Sequence, residues 1–146
     1  MSGTCGPSDH TLGLAAPMAT SVSQRILEAV DALPLLPGAR VLEIGCGPGA
    51  AAREIVRRHP DAFVLGIDRS STAILQALAG SRNQVRLGQL AFRVAAAESF
   101  ALQSGESPFH FAFALRVGAF DGRHPAVGLL ALPRIRAALV PGGRFF

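Results

Sequence analysis

Residues 41–50 read VLEIGCGPGA, and this decapeptide constrains the fold more than any other part of the chain. Val41 to Ile44 is an apolar run interrupted only by Glu43, the pattern of a buried strand. Gly45, Gly47 and Gly49 follow at once, and then a helix-forming stretch, Ala50 to Arg58. Strand, glycine turn and helix in this order open a βαβ unit and frame a nucleotide-like ligand. Glycines accept positive φ and carry no Cβ, so a ligand can lie against bare backbone there.

The rest of the chain repeats the alternation. Thr20 or Ser21 is expected to cap a first helix, with Val22, Ile26, Leu27, Val30 and Leu33 at helical spacing and Pro34 and Pro37-Gly38 stopping it. Strands are expected at 39–44, 63–67, 90–95 and 109–117, and a last one from Arg144. Helices are expected at 50–59, from Ser70 or Ser71 to Gly80, and at 125–139. Residues 82–89 fit either helix or loop. Pro133 inside the last helix removes a hydrogen bond at a cost of about 3 kcal/mol, so a kink or a fresh helix start is expected there. Val140-Pro-Gly-Gly143 reads as a turn. Alternating strands and helices predict an α/β fold: a Rossmann-like, mostly parallel sheet of about five strands with helices on both faces. In such a sheet the ligand lies beyond the carboxyl ends of the strands, where strand order reverses. Glu43 to Gly49, Asp68, Ala96 to Glu98 and Arg116 to Phe120 all fall at those ends.

Composition narrows the classes. Half the chain is hydrophobic and 16% is charged, so 146 residues can bury a core as one domain. The net charge is +4, carried by fourteen arginines and no lysine. These are scattered; only Arg57-Arg58 are adjacent, and no aromatic residues interleave with them, so there is no strong nucleic-acid signal. Without lysine the phosphate-binding Walker motif is excluded. Cys5 and Cys46 suit neither a disulfide nor a metal site, which favours a reducing, cytoplasmic setting. No stretch resembles a signal peptide or a membrane span. Residues 1–19, rich in Gly, Ser, Thr and Pro, are expected to form a flexible tail ahead of a domain at 20–146.

Two acids discriminate among nucleotide-like ligands. Asp68 ends the second strand nineteen residues after Gly49, where a carboxylate can accept both hydroxyls of a ribose. Glu43 precedes the first glycine. It would repel a pyrophosphate and attract a ligand bearing an ammonium group. The glycine spacing, G-x-G-x-G, also departs from the dinucleotide pattern G-x-G-x-x-G. A nicotinamide-dependent oxidoreductase on the same topology is therefore the weaker alternative.

VLEIGCGPGA followed by FVLGIDRS resembles motifs one and two of the class I S-adenosylmethionine-dependent methyltransferases. FRVAAAESF, FHFAFALRVGAF and RIRAALVPGGRFF fall where that family has its third and fourth strands and the turn before its fifth. The likeness spans residues 20–146. It implies S-adenosyl-L-methionine as cofactor and methyl transfer as the activity. It implies that Gly45, Cys46 and Gly47 form the turn admitting the methionine part, with Glu43 near its polar groups. Asp68 would take the ribose hydroxyls and Arg69 would flank the adenine. Ala97 and Glu98 would meet the adenine edge, and Arg116 and Val117 would close the site. The chain departs from the family at Ala96, where an Asp is common; Glu98 could substitute. It also departs at Phe109-His110, where an aromatic-Asp pair is common. His124 lies near the crevice, but no catalytic base and no metal site are identified. The Asn/Asp-Pro-Pro-aromatic and Pro-Cys signatures of DNA methyltransferases are absent, so a small-molecule or protein acceptor is expected. The family's usual sheet has seven strands. The chain is expected to lack the last ones, which leaves a cofactor-binding module without turnover as another alternative. An exposed sheet edge would then allow a homodimer.

Overall fold

The structure is a computed structural model describing residues 21–115 and 117–146. The expected tail at 1–19, Thr20 and Arg116 lie outside the described residues. In chain order the elements are helix α1 (Gln24–Ala32), strand β1 (Arg40–Ile44), α2 (Ala50–Arg58), β2 (Phe63–Asp68), α3 (Ser71–Gly80), α4 (Arg82–Arg86), β3 (Leu90–Val94), β4 (Phe109–Ala114), α5 (Pro125–Ala138) and β5 (Leu139–Phe145). A short 3-10 turn covers Ala97–Ser99. The five strands form one parallel sheet in the order β3-β2-β1-β4-β5. The chain winds outward from β1 to β3, then returns to place β4 on the other side of β1. Strand order thus reverses between β1 and β4, as expected for a doubly wound sheet.

Side-chain alternation along β1 assigns its two faces. Val41 packs with Val30 and Leu33 around α1 and with Ala52, Ile55 and Val56 of α2. Leu42 and Ile44 pack on the other face with Ala131, Ile135 and Ala138 of α5 and with Phe100. Period two therefore turns Glu43 toward the α1–α2 face and Ile44 toward the α5 face. The α1–α2 face is also tied by charge. Glu54 lies shielded beneath Arg57 and Arg58, whose hydrogen bonds hold its carboxyl down to about 2, and Arg58 reaches on to Asp31 of α1.

Several local expectations are corrected. The cap of α1 is Ser23, whose hydroxyl accepts from the Ile26 amide, not Ser21. The ambiguous stretch at 82–89 forms the five-residue α4 followed by a turn at Gly88. Strand β4 ends at Ala114, short of Val117. Helix α5 runs unbroken through Pro133. The carbonyl that Pro133 leaves without an amide partner belongs to Leu129, which is 74% exposed, so water can satisfy it. Residues 140–143 do not separate a turn from a strand. They bulge within β5: Phe109 pairs with Leu139 and Phe111 with Arg144, so the extra residues loop out around Gly142 at φ 78°.

Candidate functional site

The glycine turn sits at the carboxyl end of β1, at the reversal of strand order. Gly45, Gly47 and Gly49 have φ of 67°, 52° and 86°, all in the left-handed region that side chains disfavour. Three contacts fix the turn. The Cys46 amide donates to the Ile67 carbonyl at 2.9 Å, and the Gly47 amide donates to Asp68 Oδ2 at 2.9 Å. Arg53 of α2 donates through Nη1 to the Pro48 carbonyl at 2.7 Å and to the buried Ser81 hydroxyl at 3.0 Å. Gly66 of β2 leaves room for Cys46: a Cβ there would lie 2.9 Å from the Cys46 Cβ and 2.8 Å from the Phe92 ring.

Two clefts meet at Gly45. The larger, about 440 Å³, lies on the α5 side. Ile44, Asp68, Arg69, Ala95 to Glu98, Val117 to Ala119, Arg123, His124 and Val127 line it with Gly45. The smaller, about 380 Å³, lies on the α1 side and is lined by Ser23, Arg25, Ile26, Glu43, Cys46, Pro48 and Leu115 among others. Both volumes are in the range of small-ligand sites. A Cβ on Gly45 would lie 2.6 Å from Val117 Cγ2, so only glycine fits beside Val117 at this wall of the larger cleft.

Asp68 faces the larger cleft. Its Oδ1 accepts the Ser70 amide at 2.9 Å while Oδ2 holds Gly47, so one carboxylate fixes both the glycine turn and the start of α3. Each oxygen keeps a further lone-pair direction for a ligand hydroxyl. Arg69 and Glu98 face one another across the mouth, with Arg69 Nη2 at 3.0 and 3.2 Å from the two Glu98 oxygens. The Ala97 and Glu98 backbone lines the wall as part of the 3-10 turn. His124 and Arg123 line the opposite side; Arg123 pairs with Asp121 at 2.7 Å.

Glu43 belongs to the other cleft. It is 3% exposed, and its Oε2 has no hydrogen-bond partner. Burial pushes its carboxyl up to about 8, with the Ala52 amide and Arg53 pulling only partly back. The same environment makes Cys46 inert: burial, with Glu43 and Asp68 nearby, pushes its thiol up to about 12. The folded protein holds the Glu43 proton more tightly than the unfolded chain, so this stability contribution is complete below about pH 4.5 and is lost as pH rises through about 8. Glu43→Gln is expected to gain stability relative to the parent at pH 9 compared with pH 5. Urea midpoints at the two pH values check this; an equal difference at both contradicts a buried neutral Glu43.

The sequence-derived residues thus fall in two groups. Asp68, Arg69, Ala97 and Glu98 surround the larger cleft, Glu43 and Cys46 line the smaller, and Gly45 lies between. Gly47 supports the turn from behind. Arg116 lies outside the described residues. Sequence reasoning missed the Arg53–Pro48–Ser81 clamp and the contribution of α1 through Ser23 and Arg25. Neither had a local signal, because each depends on packing between elements far apart in the chain. Among the described residues no cluster of His, Cys, Asp and Glu could hold a metal, and no helix is long and apolar enough to cross a membrane.

The chain is 34% identical over 123 residues to trans-aconitate 2-methyltransferase of Methylobacterium nodulans, covering 82% of the chain and 43% of that protein. Of the solved structures, a methyltransferase from Thiobacillus denitrificans in complex with S-adenosyl-L-homocysteine superposes with TM-score 0.62 at 25% identity, covering 82% of the chain and 45% of that structure. The [4+2]-cyclase SpnF superposes with TM-score 0.68 at 24% identity, covering 82% and 42%. The chain spans about two fifths of the length of the curated relatives it matches. Residues 41–143 match the methyltransferase domain family along that whole segment. The chain belongs to the methyltransferase domain family.

Proposed function

We propose that this domain binds S-adenosyl-L-methionine across the two clefts and transfers its methyl group to a small-molecule acceptor. The observation that carries the reading is the buried Glu43 with an unpartnered Oε2, separated by the bare Gly45 backbone from Asp68. A ligand with a cationic amino-acid end and a ribose end fits that pair. A dinucleotide fits less well, because its pyrophosphate brings no cation to Glu43 and its fingerprint is G-x-G-x-x-G, not G-x-G-x-G.

In this reading Glu43, Gly45, Cys46 and Gly47 hold the methionine part. Asp68 accepts the ribose hydroxyls while retaining its bonds to Gly47 and Ser70. Arg69, Ala97 and Glu98 enclose the adenine. Both Glu98 oxygens are engaged by Arg69, so the Ala97–Glu98 backbone is the better partner for the adenine edge. The cofactor supplies an electrophilic methyl group on a sulfonium, and the protein's work is to align an acceptor with it and exclude water. Gly45 keeps the ligand close to the strand end. Val117, Gly118 and Ala119 form the wall beside it, and Arg123 and His124 stand where an acceptor would enter.

The acceptor class follows from the relatives, which are named for methylation of trans-aconitate, a small carboxylic acid. A carboxylate acceptor is already ionised at neutral pH and needs no base. Methyl-labelled S-adenosylmethionine incubated with the protein and a panel of small carboxylic acids, trans-aconitate included, is expected to yield a labelled ester. Binding of the cofactor with no label transferred to any acid, amine or hydroxyl acceptor would contradict turnover and leave a binding module. That SpnF, named a [4+2]-cyclase, shares the fold is the reason transfer itself needs this direct test.

A further inference from the structure

We propose that Glu43 takes up the cofactor's amino-acid end by ionising on contact, so that each binding event releases one proton from this side chain to solvent. The inference rests on the reading of the site given above and adds its proton balance.

The geometry sets the problem that a ligand has to solve. Glu43 is 3% exposed and is among the residues lining the smaller cleft, and its buried Oε2 has no hydrogen-bond partner. A buried carboxylate requires a paired cation. The charged groups on the surrounding elements do not provide one at Oε2. Arg53, from α2, spends its Nη1 donor on Pro48 and Ser81. Arg25, from α1, stands on the exposed rim of the same cleft. Asp68 at the end of β2 carries the same sign of charge and opposes ionisation, as burial does; the Cys46 thiol stays neutral. The register neighbours on β2 and β4 are Gly66 and Phe113, which carry no charge. In the free protein the carboxyl therefore keeps its proton well above the ordinary carboxylate range, to about pH 8.

A ligand ammonium placed at Oε2 reverses the balance. The carboxyl loses its proton, an ammonium–carboxylate pair forms in the buried cleft, and the proton goes to the buffer. By linkage the affinity rises with pH, up to about tenfold per unit, while Glu43 is protonated in the free protein, and it levels off above about pH 8. Ligands without the amino-acid end gain nothing from Glu43 and release nothing.

Calorimetric titration with S-adenosylhomocysteine in two buffers of different ionisation heat tests this. Glu43→Gln serves as the baseline that carries the ligand's own titration. The parent is expected to release about one proton more than the variant at pH 6.5 and a clearly smaller excess at pH 9. 5′-Methylthioadenosine, which lacks the ammonium, should give no difference between the two proteins. If the variant binds too weakly to titrate, the parent's affinity profile decides, with a rise from pH 6 that stops near pH 8. Binding of S-adenosylhomocysteine without excess proton release and with pH-independent affinity would overturn the inference while leaving the cofactor reading intact. No binding at any pH would overturn both.

Discussion

Asp68→Ala is expected to weaken S-adenosylhomocysteine binding by at least about a hundredfold. Two ribose hydroxyls donating to one carboxylate make charge-assisted hydrogen bonds worth about 1.5–3 kcal/mol each, and 1.4 kcal/mol is a factor of ten. The same substitution removes the acceptors for the Gly47 and Ser70 amides. Their loss is expected to lower folding stability by about 1–3 kcal/mol, because both amides stay near enough to the surface to find water. Calorimetry gives the first quantity and urea midpoints the second. Asp68→Asn separates them. It keeps the size and one acceptor oxygen, but its amide nitrogen meets the other backbone amide, so stability should recover only in part while affinity stays well below the parent. Affinity close to the parent in a folded Asp68→Ala protein would remove Asp68 from the ligand site.

Gly45→Ala is expected to have an effect of similar size by a different route. The added Cβ would sit 2.6 Å from Val117 Cγ2 and would demand φ near 67° of a side-chain-bearing residue. Either the turn moves or Val117 does, and Gly45 and Val117 both line the larger cleft. Left-handed strain costs about 1–3 kcal/mol and the collision a comparable amount, so binding should fall by roughly thirtyfold or more with a measurable loss of stability. Gly47→Ala is the matched control. Gly47 also has positive φ, but nothing lies within 4 Å of its missing Cβ. It should show the strain in stability and a smaller loss in affinity. Equal losses in the two variants would argue that backbone strain, not the space left beside Val117, is what Gly45 contributes.

The parts of the fold that were legible in the sequence are those governed by local pattern. The apolar strands, the glycine turn and the α/β alternation are local, and the reversal of strand order beside β1 followed from them. The parts that were not legible depend on what lies across from a residue. Pro133 should break a helix, yet α5 continues because the lost bond falls on its exposed side. Val140 to Gly143 has the composition of a turn, yet pairing with β4 on either side of it makes it a bulge in one strand. Ser23 caps α1 although Ser21 has the same chemistry, because the backbone that follows turns helical at Gln24.

The candidate site divides in the same way. Glu43, Gly45 and Asp68 were singled out by chemistry and spacing. That Glu43 lines the smaller cleft follows from the alternation of β1, and the burial of its carboxyl needs α1 and α2 in place above it; Asp68, at the same parity in the register, reaches the larger cleft only because it ends β2. Glu98 stood out as a stand-in for the acid missing at Ala96, but in the folded protein its carboxylate faces Arg69. The sequence has no marker for that pair, whose members are 29 residues apart and meet only because β2 and β3 are neighbours.

The central claim is that a ligand spans the two clefts with its amino-acid end at Glu43 and its ribose at Asp68. Titration of the folded protein with S-adenosylhomocysteine, beside NAD, tests it most directly. The expected result is saturable one-to-one binding of S-adenosylhomocysteine, weakened in both Glu43→Gln and Asp68→Ala, with no comparable binding of NAD. Binding of NAD that improves in Glu43→Gln, with none of S-adenosylhomocysteine, would contradict it.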